Sequence, residues 1–168
     1  LDADVIIKFL EIDVFDKLVN MHDLHVASTV VVEVKHYKRD GRKILVDFRA
    51  QYIDSGRVTE TPATADEMQE VLKRLPPLRR QSIHAGETES LAVLVRQEEL
   101  TICTFDSAAI KTLPFLDVTE RAVSAERLLR TSGLTLSPGY KLDPRLSEEY
   151  FRSNIEQGLR EFVYSHSG

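Results

Sequence analysis

Leu1-Asp2-Ala3-Asp4-Val5-Ile6-Ile7 opens the chain, and its reading decides the fold. Two carboxylates stand directly before an aliphatic run. A short apolar run of this kind reads as a buried strand, so a strand is expected over residues 1–7. Because the chain begins inside this run, a few residues are expected ahead of Leu1. Three further stretches set acids against apolar elements in the same way: Val30-Val31-Val32-Glu33-Val34, Gly86-Glu87-Thr88-Glu89-Ser90-Leu91-Ala92-Val93 and Ile102-Cys103-Thr104-Phe105-Asp106. A carboxylate beside a hydrophobic element is costly to bury unless something compensates its charge. Four such places point to one shared compensator, and a hard divalent cation with oxygen ligands is the natural one.

Outward from these stretches, strands are expected at residues 27–32, 56–60, 100–105 and 115–118. Helical spacing separates them. Leu10, Val14, Leu18 and Val19 pattern one helical face. Leu45, Phe48 and Tyr52 pattern another, stopped by Ser55-Gly56. Thr64-Ala65-Asp66-Glu67 fits a capping box opening a helix to about Leu75, which Pro76-Pro77 ends. Gly86 opens a helix with Leu91, Leu94 and Val95 inward, and a short helix is expected from Ser124 to Arg130. Strands alternating with helices imply an α/β fold: a three-layer α/β/α sandwich around a central, mostly parallel sheet. Function in such sheets gathers beyond the carboxyl ends of the strands, where Glu33 and Asp106 are expected to lie.

Residues 1–133 read as one domain, and residues 134–168 as a loop containing Pro138-Gly139 followed by a helical extension. That extension opens with Asp143-Pro144 as cap and first-turn proline. Its apolar stripe is expected along Tyr150, Ile155, Leu159 and Val163, packed on the same domain. At 168 residues, 42% of them apolar, the chain can bury a substantial core, which argues against disorder. The net charge of −5 does not advertise nucleic-acid binding, but an acidic total can hide a basic rim. Cys103 is the one cysteine and cannot make an internal disulfide, so it reads as a core residue of a cytoplasmic protein. No apolar run approaches membrane-spanning length.

In residues 1–130 the ordered acids resemble the PIN-domain family of metal-dependent ribonucleases. Asp2-Ala3-Asp4-Val5 resembles the family's first motif, Val32-Glu33-Val34 its second acid, Glu89-Ser90-Leu91-Ala92-Val93 its third, and Thr104-Phe105-Asp106 its fourth. The resemblance implies that Asp2, Glu33, Glu89 and Asp106 hold one or two Mg²⁺ or Mn²⁺ ions, while Asp4 and Thr104 line the site. It implies hydrolysis of RNA by metal-activated water. It also implies a possible toxin role with an antitoxin partner, and possible homodimers. Glu87 and Glu89 are two apart and point in nearly opposite directions on a helix. One is a ligand; Glu89 is favoured from the motif, with Glu87 as a supporting residue or the alternative.

Plainer readings stand beside these. Asp2 and Asp4 also fit a turn or strand end, Glu33 a solvated strand end, Glu87 and Glu89 a helix start, and Asp106 an N-cap. Lys35, Lys38, Arg39, Arg42 and Lys43, after Glu33, together with Arg79 and Arg80, fit either an RNA phosphate track or solvated surface. The five histidines show no ligand-like spacing. Two rivals remain open. Asp2-Ala3-Asp4-Val5 is also similar to the first motif of haloacid-dehalogenase-type phosphatases, and a PIN-like scaffold that binds without cutting would keep the same fold.

Overall fold

The computed structural model describes residues 1–136 and 141–166, so the expected Pro138-Gly139 turn lies outside the described residues. The chain is a mixed α/β fold dominated by helices. In order these are α1 (Ala3–Glu11), α2 (Phe15–Met21), β1 (His25–Val26), α3 (Ser28–Glu33), β2 (His36–Arg39), β3 (Arg42–Leu45), β4 (Thr59–Glu60), α4 (Ala65–Lys73), α5 (Pro77–Ser82), α6 (Ala85–Arg96), β5 (Ile102–Cys103), α7 (Ser107–Leu116), β6 (Ala122–Val123), α8 (Ala125–Thr131) and α9 (Glu148–His166). A π-helical turn, Arg49–Ile53, lies between β3 and β4.

The opening run is a helix, not the expected strand. Asp2 is extended and takes the N-cap position, accepting from Ala3 N at 2.7 Å. From there Ala3, Ile6, Phe9 and Leu10 are buried at helical intervals, whereas Asp4 is exposed. The strand reading rested on the Val5-Ile6-Ile7 triplet alone. Seven residues cannot separate a buried strand from a buried helix by period. Residues 27–32 are corrected in the same way. The strand is His25–Val26, and helix α3 follows it. Val32 is 61% exposed while Val30 and Val31 are 1% and 6%, a pattern that alternation along a strand does not produce. Glu33 therefore ends a helix. Residues 115–118 close α7, where Asp117 turns left-handed at φ 60°, and the strand is β6 instead.

In place of the expected central sheet, the strands form separate two-stranded sheets. β1 and β4 pair in parallel, His25 opposite Thr59, and β5 and β6 pair in parallel, Ile102 opposite Ala122. Leu1 and Asp2 lie between the pairs: Leu1 N donates to His25 O at 2.8 Å and Asp2 N to Cys103 O at 3.4 Å. Two residues thus join the pairs where a continuous sheet was expected. β2 and β3 form a separate antiparallel hairpin around Asp40-Gly41, both at positive φ (51° and 73°). That is the backbone a two-residue hairpin turn needs, and Asp-Gly supplies it.

Leu45 belongs to β3 and is 77% exposed, so the expected Leu45-Phe48-Tyr52 helix face is replaced by the π-helical turn. Phe15, Phe48 and Tyr52 pack as an aromatic cluster there, with centroids 4.9–6.0 Å apart. The capping box is present: Thr64 Oγ1 accepts from Glu67 N, and Thr64 N donates to Glu67. One core cluster gathers on α1, α2, α3 and the aromatic residues. A second gathers on α6, α7 and α9. No helix among the described residues is long and apolar enough to cross a membrane.

The extension packs on the domain through α7 and α9, by a face that includes Tyr150 and Ile155 of the expected stripe but not Leu159 and Val163. Phe151, Asn154 and Gly158 are buried, whereas Leu159 and Val163 are 44% and 58% exposed. Gly158 sets the approach, because a Cβ there would lie 2.6 Å from Lys111 O. A Gly158→Ala variant is expected to push α9 off α7 and cost about 1–3 kcal/mol, as overpacking does. Urea unfolding checks this: the midpoint falls. An unchanged midpoint would show that the two helices do not approach this closely.

Candidate active site

The chain brings four of its acids to the starts of helices. Asp2 caps α1, Asp4 lies in its first turn, Glu87 lies in the first turn of α6, and Asp106 caps α7 by accepting from Ala109 N at 2.8 Å. A helix start carries unpaired N–H groups and a partial positive charge, so acids are stabilised there. The plain reading named helix starts for Glu87 and Asp106, whereas for Asp2 and Asp4 it named a turn or strand end.

Thr104 links two of them. Its hydroxyl donates to Asp2 Oδ2 at 2.9 Å and accepts from Asp106 N at 3.1 Å. Thr104 is buried and Asp106 half-buried. Asp2, at the end of the Leu1–Asp2 bridge, is therefore held from two sides. Burial pushes its carboxyl up to about 6; the Thr104 hydrogen bond opposes the shift, while Asp4 and Glu87 add to it.

Glu33 comes from the far end of α3. Its Oε1 and Oε2 lie 3.2 and 3.5 Å from where a Cβ on Gly86 would stand, so the missing side chain of Gly86 makes room for this carboxylate at the start of α6. Partial burial pushes Glu33 up, and Glu87, Asp4 and Glu89 add to the shift. Asp2, Asp4, Glu33 and Glu87 are thus electrostatic neighbours despite their distance along the chain.

The third acid has different surroundings. Glu89 is buried and turned into the fold: Oε2 accepts from Thr29 N at 2.9 Å and from Thr29 Oγ1 at 2.7 Å, and Oε1 accepts from Ala63 N at 3.3 Å. It supplies the cap that Ala27 cannot give α3, and it ties α3 to the segment before α4. Glu87 is the acid left for the cluster, and its Oε2 is buried with no hydrogen-bond partner. Helix geometry makes the two diverge, and the acid that the motif favours, Glu89, is the one whose oxygens accept hydrogen bonds from Thr29 and Ala63. Thr29 and Gly86 were missed: Thr29 carries no motif, and Gly86 was read only as a helix start.

The basic candidates separate too. Arg79 pairs with Glu161 on α9, and Arg80 donates to Leu75 O at 2.8 Å, so both are occupied in holding α5. Arg39 donates to Leu10 O at 2.7 Å and Asp13 at 3.0 Å. Lys35, Lys38, Arg42 and Lys43 are exposed.

The donors are all oxygens, as a hard cation takes; their charges act on one another, and one buried oxygen is unpartnered. Among the described residues, no three of them form a ready-made metal cage. Glu89 is spent on α3, and one oxygen of Asp106 is spent on α7. A cavity of about 270 Å³ opens elsewhere, between β1 and β5, lined by Leu24, Val26, Leu100 and Ile102, and none of the six acids lines it. Cys103 also lines this cavity, and burial pushes its thiol up to about 12, so it is no nucleophile at neutral pH.

Asp2 makes a testable contribution to stability. Its carboxyl holds a proton more readily in the folded chain (about 6) than when unfolded (3.8), so stability is expected to fall as pH rises from about 4 to 6 and to level off above. Asp2→Asn keeps a capping oxygen but removes the charge. It is expected to gain roughly 1–3 kcal/mol at pH 7 and to flatten that fall. Thermal melts across pH 4–8 read both; a parallel pH profile for the variant would show that Asp2 is not strained.

No protein-family model, curated protein or solved structure matches the chain.

Proposed function

We propose that these acids form a divalent-metal centre that hydrolyses RNA phosphodiester bonds, within a PIN-like α/β/α arrangement. One observation carries the reading: Glu87 Oε2 is buried without a partner beside other acids, a costly arrangement that a cation would relieve. Asp2, Glu33 and Glu87 are the ligands in this reading, joined by the uncommitted oxygen of Asp106, with Asp4 at the rim. When bound, Mg²⁺ or Mn²⁺ neutralises phosphate charge and makes water a stronger nucleophile. Thr104 orients Asp2, Gly86 leaves room for Glu33, and Glu89 holds α3 so that Glu33 reaches the cluster. Helix starts at α1, α6 and α7 lower the cost of gathering the acids before a cation arrives.

The phosphatase alternative needs an Asp2 oxygen free to attack phosphorus. Both Asp2 oxygens accept one hydrogen bond, from Ala3 N and Thr104 Oγ1, and each keeps a second lone pair, so this geometry serves either role. A toxin role with an antitoxin partner, a homodimer and a cytoplasmic setting belong to the same proposal and rest on the family resemblance.

The test uses a 5′-labelled single-stranded RNA with Mn²⁺. The wild-type chain is expected to cleave it, and Glu87→Gln and Asp2→Asn to lose at least a hundredfold in rate while melting cooperatively. Mn²⁺ is expected to raise the melting temperature of the wild type, since a ligand at a hundred times its Kd adds about 2.7 kcal/mol, and to lose that effect in Glu87→Gln. Undiminished cleavage by both variants would overturn the assignment. Absent cleavage with full Mn²⁺ stabilisation of the wild type would leave a binding scaffold instead.

A further inference from the structure

The β2–β3 hairpin carries a charge arrangement that its own stability does not explain. Its register sets Lys38 directly opposite Lys43 and Arg39 directly opposite Arg42. Side chains so paired stand with Cβ atoms about 4.5–5.5 Å apart, and like charges there destabilise the ribbon. The Arg39 half of the second pair is explained: this guanidinium turns toward α1, binds Leu10 O and Asp13, and lies 5.2 Å over the Tyr37 ring. The other pair has no such account. Lys38 and Lys43 share the outward face with His36 and Leu45, all four are exposed, and neither lysine has an ion pair among the described residues.

The hairpin is also fixed relative to the acid cluster. Lys35 N donates to Glu33 O at 2.9 Å, and Val46 N donates to Lys35 O at 2.8 Å, so the ribbon starts where Glu33 ends. Tyr37 and Ile44 are half-buried on its inner face. Alternation puts Lys35 and Arg42 on the Tyr37–Ile44 side, so the cations of the outward face are the Lys38–Lys43 pair. Two ammonium groups side by side complement neighbouring phosphates of one strand.

We infer that the outward face of this hairpin is a track for the phosphate backbone of single-stranded RNA, leading it to the acid cluster. The choice of a polynucleotide rests on the proposed ribonuclease reading; the existence of an anion track rests on the mispaired lysines. Lys38 and Lys43 bind phosphate as point charges, without reading bases. The track is then independent of sequence and sensitive to salt.

Binding is measured apart from cleavage, by fluorescence anisotropy of a labelled single-stranded RNA in EDTA. The double variant Lys38→Glu/Lys43→Glu is expected to weaken binding at least tenfold. It is also expected to reduce the slope of log affinity against log salt by about 1.4, since each single-strand phosphate contact contributes about 0.7. Lys17→Glu, an exposed control on α2, is expected to weaken it far less. The single variant Lys43→Glu supplies a second readout, because it turns a like-charged pair into an opposite one. It is expected to raise the melting temperature by about 1–3 °C while weakening binding. Unchanged affinity and salt slope in a folded double variant would overturn the track, as would a loss of affinity equal to that of Lys17→Glu. If RNA is bound through these lysines but never cut, the track stands and the nuclease reading falls.

Discussion

Asp2 joins what the rest of the site depends on. One of its oxygens closes the start of α1 and the other accepts from Thr104, whose oxygen in turn takes Asp106 N. Its backbone N–H reaches Cys103 O while Leu1 reaches His25 O. One residue therefore sets the start of α1, the turn into α7 and the junction between the two parallel strand pairs. Because Asp2 is half-buried there beside other acids, its charged form is disfavoured.

The strain is shared unevenly among the acids. Each helix start offers a partial positive charge and open N–H groups, which offsets some of the repulsion. Glu89 escapes the crowd by turning inward to cap α3, a structural service paid in hydrogen bonds from Thr29 and Ala63. Glu87, two residues earlier on the same helix, has no such outlet, and its buried oxygen keeps its lone pairs. A hydrogen-bonded carboxylate and one with an unpartnered oxygen thus sit side by side on α6, separated by helix geometry rather than by sequence distance.

Charge of both signs is segregated over a short length of chain. Glu33 belongs to the acidic face, and the basic ribbon begins two residues later. The net charge of −5 averages these regions and reports neither. Where the ribbon faces α1, its guanidinium is satisfied by a carbonyl and a carboxylate; where it faces outward, two ammonium groups oppose each other without relief.

What could be read from the chain was what depends on neighbours in sequence. The Thr64–Glu67 capping box and the short helix after Ser124 needed only local hydrogen bonds, and they formed as expected, whereas Asp143-Pro144 opens only a three-residue 3-10 turn and α9 starts after it, at Glu148. The Asp-Gly hairpin turn was equally local, although it went unread. Acids recurring beside apolar elements were also visible, because their cost is a property of residue types. The valine and isoleucine triplets of α1 and α3 were not decidable, since both periods fit so short a run and only packing against distant residues chooses one. The same holds for Glu87 and Glu89. Helix periodicity required them to diverge, but which one met Thr29 and which met the other acids depended on where α3 docked, and that is decided by the fold as a whole.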